Sequence, residues 1–93
     1  ETETVPNSFT LGQNYPNPFN PVTVIRFTVA RESKVTLKVF GTLGNEVATL
    51  VNDYRSAGMH QVTFDASNLS AGLYFYRLSA DYFTQTKKMM MLK

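Results

Sequence analysis

The sequence predicts an all-β domain, and three observations carry that expectation. Short segments alternate apolar and polar residues with period two. Clusters of Gly, Asn, Asp and Ser punctuate them. No stretch keeps a helical apolar period for more than about two turns. The proline distribution agrees: Pro6, Pro16, Pro18 and Pro21 all precede the first alternating segment, and a ladder needs the backbone donor that proline lacks.

Residues 1–10 are expected to form a flexible linker and residues 11–93 the folded domain. Gln13-Asn14-Tyr15-Pro16-Asn17-Pro18-Phe19-Asn20-Pro21 should run as an irregular, extended lead-in, because each proline disfavours helical geometry in the residue before it. Its asparagines can hydrogen-bond neighbouring backbone in place of a ladder. Val22–Ala30 then puts Ile25, Phe27 and Val29 on one face and Arg26 and Thr28 on the other. Lys34–Phe40 puts Val35, Leu37 and Val39 in and Lys34, Thr36 and Lys38 out. Val24 and Phe40 break the alternation and read as strand-end or edge contacts beneath a loop.

Gly41-Thr42-Leu43-Gly44-Asn45 carries turn chemistry and leads into Glu46–Val51, a strand by position and the one segment also compatible with a helix. Asn52–Gly58, polar with a closing glycine, reads as a longer connection. In Met59–Ala66, Val62 and Phe64 alternate with Gln61, Thr63 and Asp65. Ser67–Gly72 is a second loop. Leu73–Ala80 sets Tyr74, Tyr76 and Leu78 against Phe75, Arg77 and Ser79, with both tyrosines assigned to the core. Ala80-Asp81-Tyr82 turns a hairpin into Phe83–Leu92, which is polar first and apolar later. Antiparallel strands with one wet face bury the other by stacking two sheets, so about six to seven strands imply an immunoglobulin-like Greek-key sandwich. The chain has no cysteine, so this sandwich has no disulfide.

Composition narrows function further. Hydrophobic residues make up 43% and charged residues 17%, the balance of a folded domain. A net charge of +2 with dispersed basic residues gives no reason to expect nucleic-acid binding. No segment approaches the ~20 apolar residues of a membrane span. Glu1 and Glu3 stand where a signal peptide would be positive, so the chain is expected to be a mature fragment or the tail of a longer polypeptide.

His60 is the single histidine, with Ser56 and Asp65 nearest in sequence. It shares a strand face with Val62 and Phe64, which favours packing over catalysis. The seven carboxylates are scattered singly, without the spacing of a metal site or a glycosidase pair. Consecutive Met89, Met90 and Met91 on a strand cannot converge on one ion, and core filling accounts for them better. Gly41 and Gly44 have the spacing of a nucleic-acid-clamping loop but lack its flanking helices. Asn68-Leu69-Ser70 has the form of a glycosylation sequon, a pattern common by chance. No catalytic residue, cofactor or metal site is therefore expected, and the domain should not be an enzyme.

Leu11-Gly12-Gln13-Asn14-Tyr15-Pro16-Asn17-Pro18-Phe19-Asn20-Pro21, followed by Thr23, Ile25 and Phe27, resembles the opening motif of the type A C-terminal sorting domains of the type IX (Por) secretion system of Gram-negative bacteria. Further matches follow in order: Val35-Thr36-Leu37-Lys38-Val39-Phe40, Gly44, Ala57-Gly58-Met59-His60, Val62 with Phe64-Asp65, Leu69 to Leu78, and Lys87-Lys88-Met89 to Lys93. Departures are Gly41 in place of a usual aspartate, Asn45 where arginine or lysine is common, and Phe64 where tryptophan is common.

The resemblance implies a sorting signal at the end of an exported cargo protein. Its expected partners are the outer-membrane secretion machinery, a sortase-like signal peptidase and the covalently linked upstream cargo. The expected location is the periplasm in transit, then the cell surface or medium. The residues expected to carry recognition are Asn14, Tyr15, Pro16, Asn17, Pro18, Phe19, Asn20, Pro21, Gly72, Tyr74, Lys88 and Lys93, and the chain's end at Lys93 suits a terminal signal.

Lys87, Lys88 and Lys93 flank an apolar strand, so a partner can be met by strand addition or by docking of the final strand. Lysines at an edge also guard against unwanted pairing. Cleavage is expected before Leu11. Two rival readings share the fold. One is a self-associating module, Thr2–Thr10 of one copy pairing the sheet edge of the next by strand exchange; the other is a carbohydrate-binding appendage using Tyr and Phe.

Overall fold

The computed structural model describes residues 8–92. They form seven strands: β1 (Thr10–Leu11), β2 (Val22–Val29), β3 (Ser33–Phe40), β4 (Glu46–Arg55), β5 (Gly58–Asp65), β6 (Gly72–Ala80) and β7 (Phe83–Met91). Every pairing between these strands is antiparallel, and an isolated bridge between Phe19 and Met91 is parallel. One sheet has the order β1-β2-β5 and the other β4-β3-β6-β7, the interleaved order of an immunoglobulin-like Greek key with its fourth strand on the larger sheet.

The alternation read from β2, β3 and β6 is the alternation observed. Ile25, Phe27 and Val29 face Val35, Leu37 and Val39, and Tyr76 and Leu78, all 1% exposed or less, fill the space between. Tyr74 joins them at 8%, and Phe64, Met89 and Met91 close the core from β5 and β7. Full burial of each large side chain contributes about 1.5–3 kcal/mol.

Glu46–Val51 is strand, as its position implies. Two local expectations need correction. The strand runs on through Asn52–Arg55, which the sequence presents as a connection. The join to β5 is only Ser56 and Ala57. Asn52, Asp53 and Tyr54 are exposed because β4 is a sheet edge, so their polarity marks an edge strand and not a loop. Two register shifts against β3 leave Val47 and Leu50 as extra residues, and such bulges erase the period-two signal. β1 was not anticipated; at two residues it is too short to show a period.

The turns follow their chemistry. Gly44, at φ 86°, sits in the β3–β4 reversal, where the Gly44 N–H donates to the Gly41 carbonyl. Asp81, at φ 57°, turns β6 into β7 and pairs with Arg31 at 2.7 Å. Val24 is half-buried beside a backbone bridge to Tyr15. Phe40 lies at the end of β3 under the Arg77 guanidinium, 4.6 Å from its ring centre.

Candidate recognition surface

β7 is an edge strand of the larger sheet. Residues of one parity along an antiparallel edge point both backbone groups away from the neighbouring strand, and on β7 these belong to Thr84, Thr86, Lys88 and Met90. The lower part of this row is occupied by the proline-rich lead-in. Gln13 donates from Nε2 to the Lys88 carbonyl at 2.8 Å. The Met90 N–H donates to Asn17 Oδ1 at 3.0 Å. The Phe19 N–H donates to the Met90 carbonyl at 2.9 Å, and the Leu92 N–H to the Phe19 carbonyl at 2.8 Å.

The other side of the lead-in is fastened to the smaller sheet. Tyr15 and Val24 exchange both backbone hydrogen bonds at 2.9 Å, the Gly12 N–H donates to the Arg26 carbonyl, and the Ala66 N–H donates to the Pro21 carbonyl. The lead-in thus straps the two sheets together across one end. The Tyr15-Pro16, Asn17-Pro18 and Asn20-Pro21 peptides are cis.

Beneath the strap lies a buried polar knot. The Tyr76 hydroxyl accepts from the Asn14 N–H at 2.8 Å and donates to the Gly12 carbonyl at 2.8 Å. The Asn14 side-chain amide, in a residue 2% exposed, donates to the Pro16 carbonyl and to Thr23 Oγ1 and accepts from Gln13 Nε2. Thr23 Oγ1 in turn donates to the Pro16 carbonyl at 2.8 Å. Among the described residues no buried side-chain polar atom lacks a partner, the condition under which a buried network stabilises instead of costing. Burial pushes the Tyr76 hydroxyl above its ordinary pKa, and the hydrogen bond from Asn14 offsets part of that.

The residues expected to carry recognition divide by exposure. Asn14 and Phe19 are buried at 2%, and Tyr74 at 8% donates its hydroxyl to the Ser70 carbonyl at 2.6 Å. Tyr15, at 73% exposed, Pro16, Asn17, Pro18 and Asn20 face solvent, Pro21 is half-buried and Lys88 is exposed. Gly72, half-buried, adopts φ 143°, a region L side chains avoid. Pairing brings the late members to the strapped end: Gly72 faces Met91, Tyr74 faces Met89 and Phe75 faces Lys88. Lys93 lies outside the described residues, as do residues 1–7.

Gln13, Thr23 and Tyr76 belong to this site, although the sequence marks Gln13 and Thr23 only as part of the opening motif and Tyr76 only as core. A core tyrosine, which needs a partner for its hydroxyl, was the available signal.

His60 stacks on Phe27, its cross-strand neighbour, with centroids 5.4 Å apart, and its Nε2 lies 2.8 Å from the Ser56 carbonyl. Asp65 accepts from the Ser67 N–H and hydroxyl, which hold its carboxyl below the usual range. The three residues are therefore not assembled as nucleophile, base and orienter. Among the described residues no group of three or more His, Asp or Glu is placed to hold a metal.

A family model described as the secretion system C-terminal sorting domain matches residues 13–92. No match was found among curated proteins or among solved structures. The chain belongs to the C-terminal sorting domains of the type IX secretion system, a family of sorting signals and not of enzymes.

Proposed function

We propose that the signal is the folded sandwich itself. It directs a covalently linked upstream cargo through the periplasm to the outer-membrane translocon, and a sortase-like peptidase then cuts before Leu11 to leave the cargo at the cell surface or in the medium. The observation that carries this reading is the joining of the two ends of the family motif: the lead-in and the last strand form one hydrogen-bonded unit.

That joining bears on how a partner reads the domain. Pulling β7 out to dock it elsewhere would expose Met89 and Met91, now 1% and 0% exposed, and release Phe19, at about 1.5–3 kcal/mol for each large side chain. Strand addition needs no such opening. The outward backbone groups of Thr84 and Thr86 carry no hydrogen bond to other described residues, and an extended partner segment can pair with them.

Deleting Phe83–Lys93 removes core residues as well as the edge, so retention of cargo in the periplasm is expected but does not separate recognition from folding. Charge reversal of the exposed Lys88, together with Lys93, does separate them. Lys88→Glu/Lys93→Glu cargo is expected to stay in the periplasm with the domain still folded; its normal surface display would refute the reading.

A further inference from the structure

The outer face of the larger sheet carries a cluster that the strap does not use. Phe40 and Phe75 are directly opposed across β3 and β6, and both are half-buried. Two residues further along each strand, Lys38 and Arg77 are also directly opposed. Like charges in that position destabilise a sheet, so the pairing has a cost that an anion would relieve. Lys38 has one partial partner, Glu46 at 3.4 Å. Arg77 has no carboxylate among the described residues; its guanidinium carbon lies 4.6 Å from the centre of the Phe40 ring, and its forked N–H donors suit a carboxylate.

Charge on this face is one-sided. Its strand residues include Lys34, Lys38, Arg77 and Lys88 against Glu46, whereas the outer face of β2 and β5 balances Arg26 with Asp65. Beyond the phenylalanines lies a cleft of about 360 Å³ lined in part by Gly41, Leu43, Val47 and Leu73.

The geometry points to a docking site on this face for an extended acidic segment of a partner protein, a carboxylate meeting Arg77 and Lys38 and an apolar side chain two residues on meeting Phe75 and the cleft beyond it. The spacing favours a polypeptide. Alternate residues of an extended chain are about 6.6–6.8 Å apart on one face, the same backbone step that separates Arg77 from Phe75 and Phe75 from Leu73 along β6. Charge complementarity supplies the sign of the partner, and Phe75 with the cleft beyond it supplies the demand for an apolar side chain.

This inference rests on the sorting reading by naming a surface the machinery would use, and its test keeps the two apart. A blocked five-residue peptide, glutamate and leucine alternating with threonine, is titrated into the isotopically labelled chain, with a heparin oligosaccharide and phosphatidylglycerol vesicles as parallel probes. Saturable shifts at Lys38, Phe40, Phe75 and Arg77 are expected. Affinity should fall about tenfold or more in Arg77→Gln, as loss of a charge-assisted hydrogen bond requires. An unchanged spectrum away from the patch shows the variant folded, and Lys38→Gln serves if it is not.

No saturable shift, indifference to both substitutions, or binding of heparin or vesicles in place of the peptide overturns the inference. A reporter fusion carrying Arg77→Gln completes the test. Its retention in the periplasm while the unaltered fusion is displayed supports the docking site; display of both removes the docking site and leaves the sorting reading standing. Failure of the unaltered fusion removes the sorting reading on which the inference stands.

Discussion

Replacing Tyr76 by phenylalanine removes one oxygen atom and leaves the ring packing in place, so it isolates the knot beneath the strap. Two hydrogen bonds are lost, both 2.8 Å long: one from the Asn14 N–H and one to the Gly12 carbonyl. Asn14 is 2% exposed, so its N–H has no ready access to water and is left unsatisfied at about 1–3 kcal/mol; the Gly12 carbonyl adds about 0.5–1.5 kcal/mol. A total near 3 kcal/mol is a large share of the roughly 5–14 kcal/mol expected for a chain of this length. It corresponds to a fall in Tm of about 12–24 °C. Calorimetry on Tyr76→Phe measures this, and amide exchange locates it: Asn14 and Phe19 should lose protection well before Val35 and Leu37. A fall of less than about 4 °C, or uniform loss of protection, would refute the reasoning that the strap is held from beneath by this hydroxyl.

The same hydroxyl predicts alkaline behaviour. Burial raises its pKa in the folded state, so its contribution is intact below the unfolded value of about 10 and is lost as pH rises further. Urea midpoints between about pH 8 and 11 should fall, and Tyr76→Phe should flatten the part of that slope due to this group. Phe19→Ala should cost about 3–5 kcal/mol by opening a cavity and make the lead-in sensitive to limited proteolysis; a cost under about 1 kcal/mol would mean the ring does not anchor the strap. At Gly72 an added Cβ meets nothing within 4 Å, so Gly72→Ala should cost about 1–3 kcal/mol from backbone strain alone, with the same loss in Gly72→Ser.

How much of this was legible in sequence follows from where the physical signal resides. β2, β3 and β6 showed themselves because each has one buried and one wetter face, which writes a period of two into the residues. β4 did not: the extra residues Val47 and Leu50 shift the phase, and the exposed edge from Asn52 to Tyr54 looks like loop. The lead-in and the closing strand were both visible as motifs, yet their union was not. Gln13 reaches Lys88 across 75 positions and Tyr76 reaches Gly12 across 64, and no local pattern records a contact of that range. Burial of Asn14 was hidden for the same reason. An asparagine beside prolines looks like turn chemistry, and only the fold shows that its four hydrogen-bonding partners are gathered from Gln13, Pro16, Thr23 and Tyr76.

The most direct measurement places a protease-sensitive reporter upstream of residues 1–93 in a bacterium possessing the secretion system and in an otherwise identical strain lacking the translocon. Protease added to intact cells should degrade the reporter in the first strain and spare it in the second. Equal protection in both strains, with the reporter held in the periplasm, would contradict the account.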